Sequence, residues 1–233
     1  MDAWIELARG PLFRIALTIM VLGLGYRVVV TIAQIASAWY RAGDRRLPLS
    51  DITEATVKWI FPVRLLRTRP AYSAASFLFH LGVVLVPLFL IGHVALLEEL
   101  LPTAWPVLPP LVADGFTVVA LSALLVLLVG RVVSRSARVL SRTQDVVLLL
   151  VLFATLFFGF LGSHPTVSPV ASRTMVLFHI LLGDLVLVLV PTTKIAHCVL
   201  YPFTQLLFQL GWHFPAESGR HVAEVLAKEN EPV

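Results

Sequence analysis

The chain has 233 residues, of which 58% are apolar and 14% charged, with a formal net charge of +4 at pH 7. Soluble domains carry roughly 25% charged residues, so this composition excludes a soluble globular domain, a disordered chain and, despite its basic balance, a nucleic-acid binder. A single cysteine, Cys198, excludes a disulfide framework, a protein-held iron–sulfur cluster, a four-cysteine zinc site and C-x-x-C-H attachment of haem c.

A helical span needs about 20 mostly apolar residues. Five stretches qualify: Pro11 to Trp39, Tyr72 to Leu97, Val112 to Val133, Val146 to Leu161, and Thr174 to Leu200. They predict an all-α membrane protein, a five-transmembrane-helix bundle over residues 1–210 with a loop at 40–71, followed by a tail at 211–233. Punctuation at Arg45-Arg46-Leu47-Pro48, Pro102 to Pro110 and Ser163 to Pro169 separates the spans. No internal repeat is evident. Ala36-Ser37-Ala38 resembles a leader-cleavage site, but the apolar run before it is too long for a signal core, and Asp2 and Glu6 spoil a basic leader. The first segment is therefore read as a retained span.

Basic residues crowd the cytoplasmic side of membrane proteins. The first loop holds Arg41, Arg45, Arg46, Lys58, Arg64, Arg67 and Arg69, and the third holds Arg131, Arg135, Arg138 and Arg142. The inner end of the last span and the tail hold Lys194, Arg220 and Lys228, whereas the second loop has Glu98 and Glu99 and no Lys or Arg. The fourth has only Arg173. The N-terminus is expected outside and the C-terminus in the cytoplasm, in the inner (cytoplasmic) membrane.

Four histidines fall in spans, His80 and His93 on the second, His179 and His197 on the fifth. An ionisable side chain at membrane depth is costly and usually functional. Two helices that each offer two imidazoles can hold two haems, one ligand per helix for each. The two spans run in opposite directions. His93 and His179 are then the outer pair, and His80 and His197 the inner pair.

His179 and His197 are 18 residues apart, five helical turns, and share a face on a continuous helix. His80 and His93 are 13 apart, about 140° out of phase at roughly 100° per residue. Pro87 and Pro191, one between each pair, can kink or rewind both helices.

Leu78-Phe79-His80-Leu81-Gly82 through Ile91-Gly92-His93, then Phe178-His179-Ile180-Leu181-Leu182-Gly183 through Pro191 to His197, resembles the gamma subunit of respiratory nitrate reductase. The resemblance runs from Tyr72 to Pro202. It implies a dihaem cytochrome b that draws electrons from quinol and passes them to a cytoplasmic iron–sulfur partner bound to a catalytic subunit. The wide His80–His93 spacing and the long loop at 40–71 place the chain among wider relatives, of the kind that serve heterodisulfide-reductase-like, sulfite-reductase-associated or hydrogenase-linked complexes.

The expected cofactors are therefore two haem b, with His80, His93, His179 and His197 as iron ligands and a quinone or quinol as substrate. Gly92 and Gly183 would let a flat ring approach the helix backbone, or serve helix packing. Arg27, deep in the first span, and Arg14, near its outer edge, are candidate partners for haem propionates. Asp184 is read as one half of a structural ion pair or a member of a proton path, and His164 as a residue within reach of a quinone. Arg131, Arg135, Arg138 and Arg142 recur at helical spacing as a basic face toward anionic lipid. Trp59-Ile60-Phe61-Pro62 suggests an interfacial or docking piece, and Trp212, His213 and the tail a further docking element. Cys198 reads as a packing residue. No catalytic residue is expected on this chain, which is not a terminal catalyst. The competing readings are a haem-free membrane anchor or transporter whose histidines relay protons, and a monohaem relative.

Overall fold

The computed structural model describes residues 1–42, 49–60, 63–99, 105–211 and 217–227. Among these the chain is helical, with no strand. Five helical stretches are long and apolar enough to cross a membrane: Asp2–Arg41, Pro70–Phe89, Pro110–Val133, Thr143–Ser163 and Ser172–Thr192. The predicted class and number of spans are borne out. Large apolar side chains point outward along the spans, Leu22 at 68% and Leu111 at 84% exposure. That is the pattern of a multi-pass protein whose solvent is lipid.

In chain order the helices are α1 (Asp2–Leu7), α2 (Phe13–Arg41), α3 (Leu49–Ile60), α4 (Val63–Thr68), α5 (Pro70–Phe89), α6 (Ile91–Glu98) and α7 (Pro110–Val133). They continue with α8 (Arg135–Leu140), α9 (Thr143–Ser163), α10 (Ser172–Thr192), α11 (His197–Gly211) and α12 (Ser218–Val225). A π-helical turn, Ala8–Leu12, joins α1 to α2 and contains Pro11. Pro11 lacks an N–H and fits such a widened turn. The first helical stretch thus begins nine residues earlier than the apolar run alone suggests.

Two predicted spans are not continuous. The second breaks at Leu90, which is extended (φ −72°, ψ 131°). The fifth breaks at Thr193 (φ −123°, ψ −170°), and a 3-10 turn, Lys194–Ala196, precedes α11. The break points follow Pro87 by three residues and Pro191 by two.

The chain forms two compact units, Met1–Ala16 with Phe61–Val186, and Leu17–Ile60 with Leu187–Val233. In the first, α7 packs against both α5 and α9. Ala75, Phe79, Ala120, Ala123, Leu124, Leu127, Leu149 and Leu156 form the core. Small residues set this packing, as is general where lipid offers no hydrophobic drive between helices. A Cβ on Gly82 would lie 2.7 Å from Ala120 Cβ and 2.8 Å from the Phe116 carbonyl, so α5 and α7 meet here nearly backbone to backbone.

In the second unit α3 packs against α11. This places a helix where the loop at 40–71 was expected to form an interfacial piece. Phe61 and Pro62 of the proposed docking stretch lie outside the described residues, as do Arg45, Arg46, Trp212, His213 and Lys228.

Arg131, Arg135, Arg138 and Arg142 do not lie on one continuous helix, as their spacing suggested. Arg131 ends α7, Arg135 and Arg138 lie on α8, and Arg142 caps α9. Ser134 and Ser141 are extended (ψ 120° and 131°) and separate the three helices. Arg138 donates to the Val132 and Val133 carbonyls at the end of α7, and Arg131 donates to Ser141 Oγ at 3.0 Å. Arg138 thus caps the end of α7, whose carbonyls would otherwise be left unpaired.

Candidate functional site

His93 owes its position to the break after α5. Leu90 leaves the helical conformation, and α6 starts in a new phase with His93 on its first turn. Unwinding frees the Leu88 and Phe89 carbonyls from the helical ladder. Both are recaptured, by Trp105 Nε1 at 2.7 Å and by the Leu108 amide at 2.8 Å. The Trp105 ring also stacks near Phe89, with centroids 6.3 Å apart. The break is therefore a closed hydrogen-bonded structure rather than a frayed end, and the offset of about 140° calculated for a continuous helix no longer applies across it.

His179 stands on α10 and is held by α9. Its Nδ1 donates to the Thr155 carbonyl at 2.8 Å. Gly159, one turn on, makes room for the ring, since a Cβ there would lie 2.7 Å from His179 Nδ1. Gly159 was not singled out from sequence, because nothing in one chain tells a glycine under a ring from a glycine between helices.

The two side chains meet. His93 Nε2 lies 3.4 Å from His179 Nε2. Ring centroids are 5.7 Å apart with planes inclined by 20°. The centroids are farther apart than the nitrogens by about one ring width, so the rings oppose each other tip to tip. His93 Nδ1 faces the Val86 carbonyl at 3.4 Å. A carbonyl only accepts, which places each ring's proton on Nδ1 and leaves an Nε2 lone pair. Two half-buried lone pairs then face one another, an arrangement that calls for a cation between them. A backbone carbonyl behind each ring is the usual support for a metal-ligating imidazole.

The donor set selects among cations. Among the described residues no group of three or more His, Cys, Asp or Glu could hold a metal ion. Two opposed imidazoles suit an iron whose other ligands come from a macrocycle. Two metal–imidazole bonds of about 2 Å each span about 4 Å, so the observed gap needs to widen by roughly half an ångström. Haem b fits the donors on these terms.

His80 belongs to the first unit and His197 to the second. His80, half-buried on α5, sets Nδ1 on the Ser76 carbonyl at 2.7 Å and packs edge-on to Phe79. His197 opens α11 and sets Nδ1 on the Lys194 carbonyl at 2.6 Å, with Nε2 4.0 Å from Cys198 Sγ. The shared face expected for His179 and His197 assumed five unbroken turns. The break at Thr193 removes that basis. All four histidines nevertheless share one local design, Nδ1 on a backbone oxygen.

The two breaks expose a repeat that reading the chain end to end missed. Leu85-Val86-Pro87 is followed by Ile91-Gly92-His93, and Leu189-Val190-Pro191 by Ile195-Ala196-His197. Each reads Leu-Val-Pro, three variable residues, Ile, a small residue, His. Upstream, Leu78-Phe79-His80 matches Leu177-Phe178-His179. The intervals between the first His and the Pro differ, which hid the repeat from a fixed-period search.

Arg27, the deep arginine of the first span, bonds to unwound backbone. Its Nη1 donates to the Pro191 carbonyl at 2.9 Å and the Thr193 carbonyl at 3.2 Å, closing the second break. Nearby, a Cβ on Gly23 would lie 2.6 Å from Pro191 Cβ. Arg14 is exposed on the first turn of α2. Nothing lies within 4 Å of a Cβ built on Gly92 or Gly183, so neither is a packing glycine among the described residues. Gly183 lies one turn beyond His179 on the same face. Asp184 Oδ2 is buried and has no hydrogen-bond partner among the described residues. His164 pairs with Asp114, Nε2 to Oδ2 at 3.3 Å.

No family model matches the chain, and no solved structure matches it. It is 33% identical over 224 residues to a protein of Nitratidesulfovibrio vulgaris, an alignment that covers 90% of this chain and 93% of the relative. The relative's name specifies no activity. Identity at that level over nearly the whole of both chains makes this protein a member of the same family as that Nitratidesulfovibrio vulgaris protein.

Proposed function

We propose that the chain is a b-type cytochrome subunit of a membrane oxidoreductase, similar in kind to the nitrate reductase gamma subunit. It exchanges electrons between the quinone pool and a cytoplasmic iron–sulfur partner that serves a separate catalytic subunit. The observation that carries this reading is the tip-to-tip pair, His93 Nε2 to His179 Nε2 at 3.4 Å, with both Nδ1 atoms turned to backbone carbonyls. His93 and His179 would hold one haem b, supplying reversible one-electron transfer when bound, and the second haem b is expected from His80 and His197 on the sequence alone.

The chain's own residues do the rest. Thr155 and Val86 fix the tautomers, Trp105 and Leu108 lock the break that aims His93, and Gly159 seats His179. Gly183 leaves open backbone beside the pair. A haem that His93 and His179 both held would supply one-electron transfer. The distribution of Lys and Arg supports an N-terminus outside, a C-terminus in the cytoplasm and residence in the cytoplasmic membrane. The His93–His179 end then faces outward, and quinol oxidised there leaves its protons outside while electrons move inward. Two charges so moved store roughly 4.6 kcal/mol per 100 mV.

The test is a visible spectrum of the purified chain after expression with ample haem. A reduced α-band of low-spin haem b, with two haems per chain by pyridine assay, is expected. A second reading takes the 3.4 Å contact as a bare imidazole–imidazole hydrogen bond in a haem-free proton relay. It requires one ring to carry two protons or to turn its Nδ1 lone pair toward a carbonyl, and it predicts a colourless protein.

A further inference from the structure

His164 follows the last residue of α9, and Asp114 stands on the first turns of α7. His164 Nδ1 donates to the Phe160 carbonyl at 2.9 Å, and the imidazole stacks on the Phe160 ring with centroids 4.2 Å apart. With that proton committed, Nε2 carries the free lone pair. It faces Asp114 Oδ2 at 3.3 Å. A proton placed between them would meet an acceptor on either side. Facing His164 are Phe160 from its own helix and Asp114 from α7. Of the other charged groups at this end, Arg9 pairs with Glu99 at 3.0 Å and Arg173 with Asp2 at 2.7 Å, while Glu6, Arg14 and Glu98 lie on α1, α2 and α6.

The dyad is near the His93–His179 pair and open to a ligand. His164 follows Gly159, the residue under the His179 ring, by five positions, about 7.5 Å along α9 at 1.5 Å per residue. Its side chains are 29% and 39% exposed, and the apolar neighbour Leu111 faces outward. An amphiphile dissolved in lipid reaches such a position from the side.

We propose that the His164–Asp114 dyad takes up the hydroxyl protons of a hydroquinone oxidised beside the His93–His179 pair. This rests on the function proposed above and names the acid–base group of that site. Oxidation of hydroquinone to quinone breaks two O–H bonds and releases two protons and two electrons. Each proton passes in turn to His164 Nε2, is held against the Asp114 carboxylate, and leaves to the water at that end. The two electrons leave singly to a one-electron acceptor, the role proposed above for a haem that His93 and His179 would hold. A positioned acid–base group of this kind contributes about 10²- to 10⁴-fold in rate.

The test uses the full chain in lipid nanodiscs, with His164→Gln and Asp114→Asn. Two readouts are taken: the rate at which a short-chain hydroquinone reduces the bound haem, and the affinity for a hydroxyquinoline N-oxide, a non-reacting hydroquinone analogue, by fluorescence quenching. The expected result is unchanged haem content, reduction slowed about 100-fold in His164→Gln and about tenfold in Asp114→Asn, and weaker analogue binding in both. Wild-type rates and wild-type analogue affinity in both variants would overturn the proposal and leave the dyad as a tie between α7 and α9. If the parent chain holds no haem, the function proposed above fails, and analogue affinity alone still decides the dyad.

Discussion

His93 and His179 point their Nε2 atoms at each other across 3.4 Å, although 86 residues separate them in the chain. Each ring is backed by a backbone carbonyl, Val86 or Thr155. If these two imidazoles together hold one haem b, His93→Ala and His179→Ala should each lower the haem count from two to one per chain, and should do so equally. His80→Ala and His197→Ala should each remove the other haem. Pyridine haemochrome assay of the four variants checks this, and a monohaem protein would instead lose all its haem in one pair and none in the other.

Gly159 and Gly183 differ in the room around them. At Gly159 a Cβ would lie 2.7 Å from His179 Nδ1, while at Gly183 it meets nothing within 4 Å. Gly159→Ala should cost about 1–3 kcal/mol through overpacking and turn His179 off the Thr155 carbonyl. Gly183→Ala should leave the haem-free fold unchanged or firmer by about 0.5–1 kcal/mol, since alanine is the better helix former, yet lower haem occupancy. Thermal unfolding with and without haem, together with haem titration, reads both effects.

Trp105 closes the first break through its Nε1 bond to the Leu88 carbonyl. Trp105→Phe keeps the ring near Phe89 but leaves that carbonyl unpaired, at a cost of about 1–3 kcal/mol. Because the break sets the phase of His93, the midpoint potential and electron-paramagnetic signature of the haem at His93 and His179 should shift as well. A change in stability alone would mean that the break holds without this bond.

Arg27 does the corresponding service at the second break, bonding the Pro191 and Thr193 carbonyls. Arg27→Met should destabilise the protein by about 1–3 kcal/mol, and Arg27→Lys should recover part of it, since a lysine reaches one carbonyl but lacks the planar fork. Unfolding in mild detergent measures this. The exposed pairs Arg9–Glu99 and Arg173–Asp2 should by contrast contribute no more than about 1 kcal/mol each, and less as salt rises.

Chain direction and charge sufficed to name His93 and His179 as partners, because antiparallel spans place the end of one beside the start of the other. Pro87 and Pro191 marked where the helices would yield, since a ring without an N–H cannot complete the ladder. What the breaks did to phase was not legible. The conformations of Leu90 and Thr193 depend on who recaptures the freed carbonyls, and those partners, Trp105, Leu108 and Arg27, come from distant segments. Arg27 was read as a ligand for propionate because a charge at that depth demands acceptors, and unwound backbone supplied them. The four arginines from Arg131 to Arg142 misled in the opposite way. Their spacing is helical, but Ser134 and Ser141 interrupt the helix and turn the side chains to its ends.

The most direct test is a count of haem in the purified chain against the same count in His93→Ala. The account predicts two haem b per chain with a low-spin reduced α-band, falling to one in the variant. A parent protein without a Soret band after haem-rich expression, or a variant that keeps the parent's full count, would contradict it.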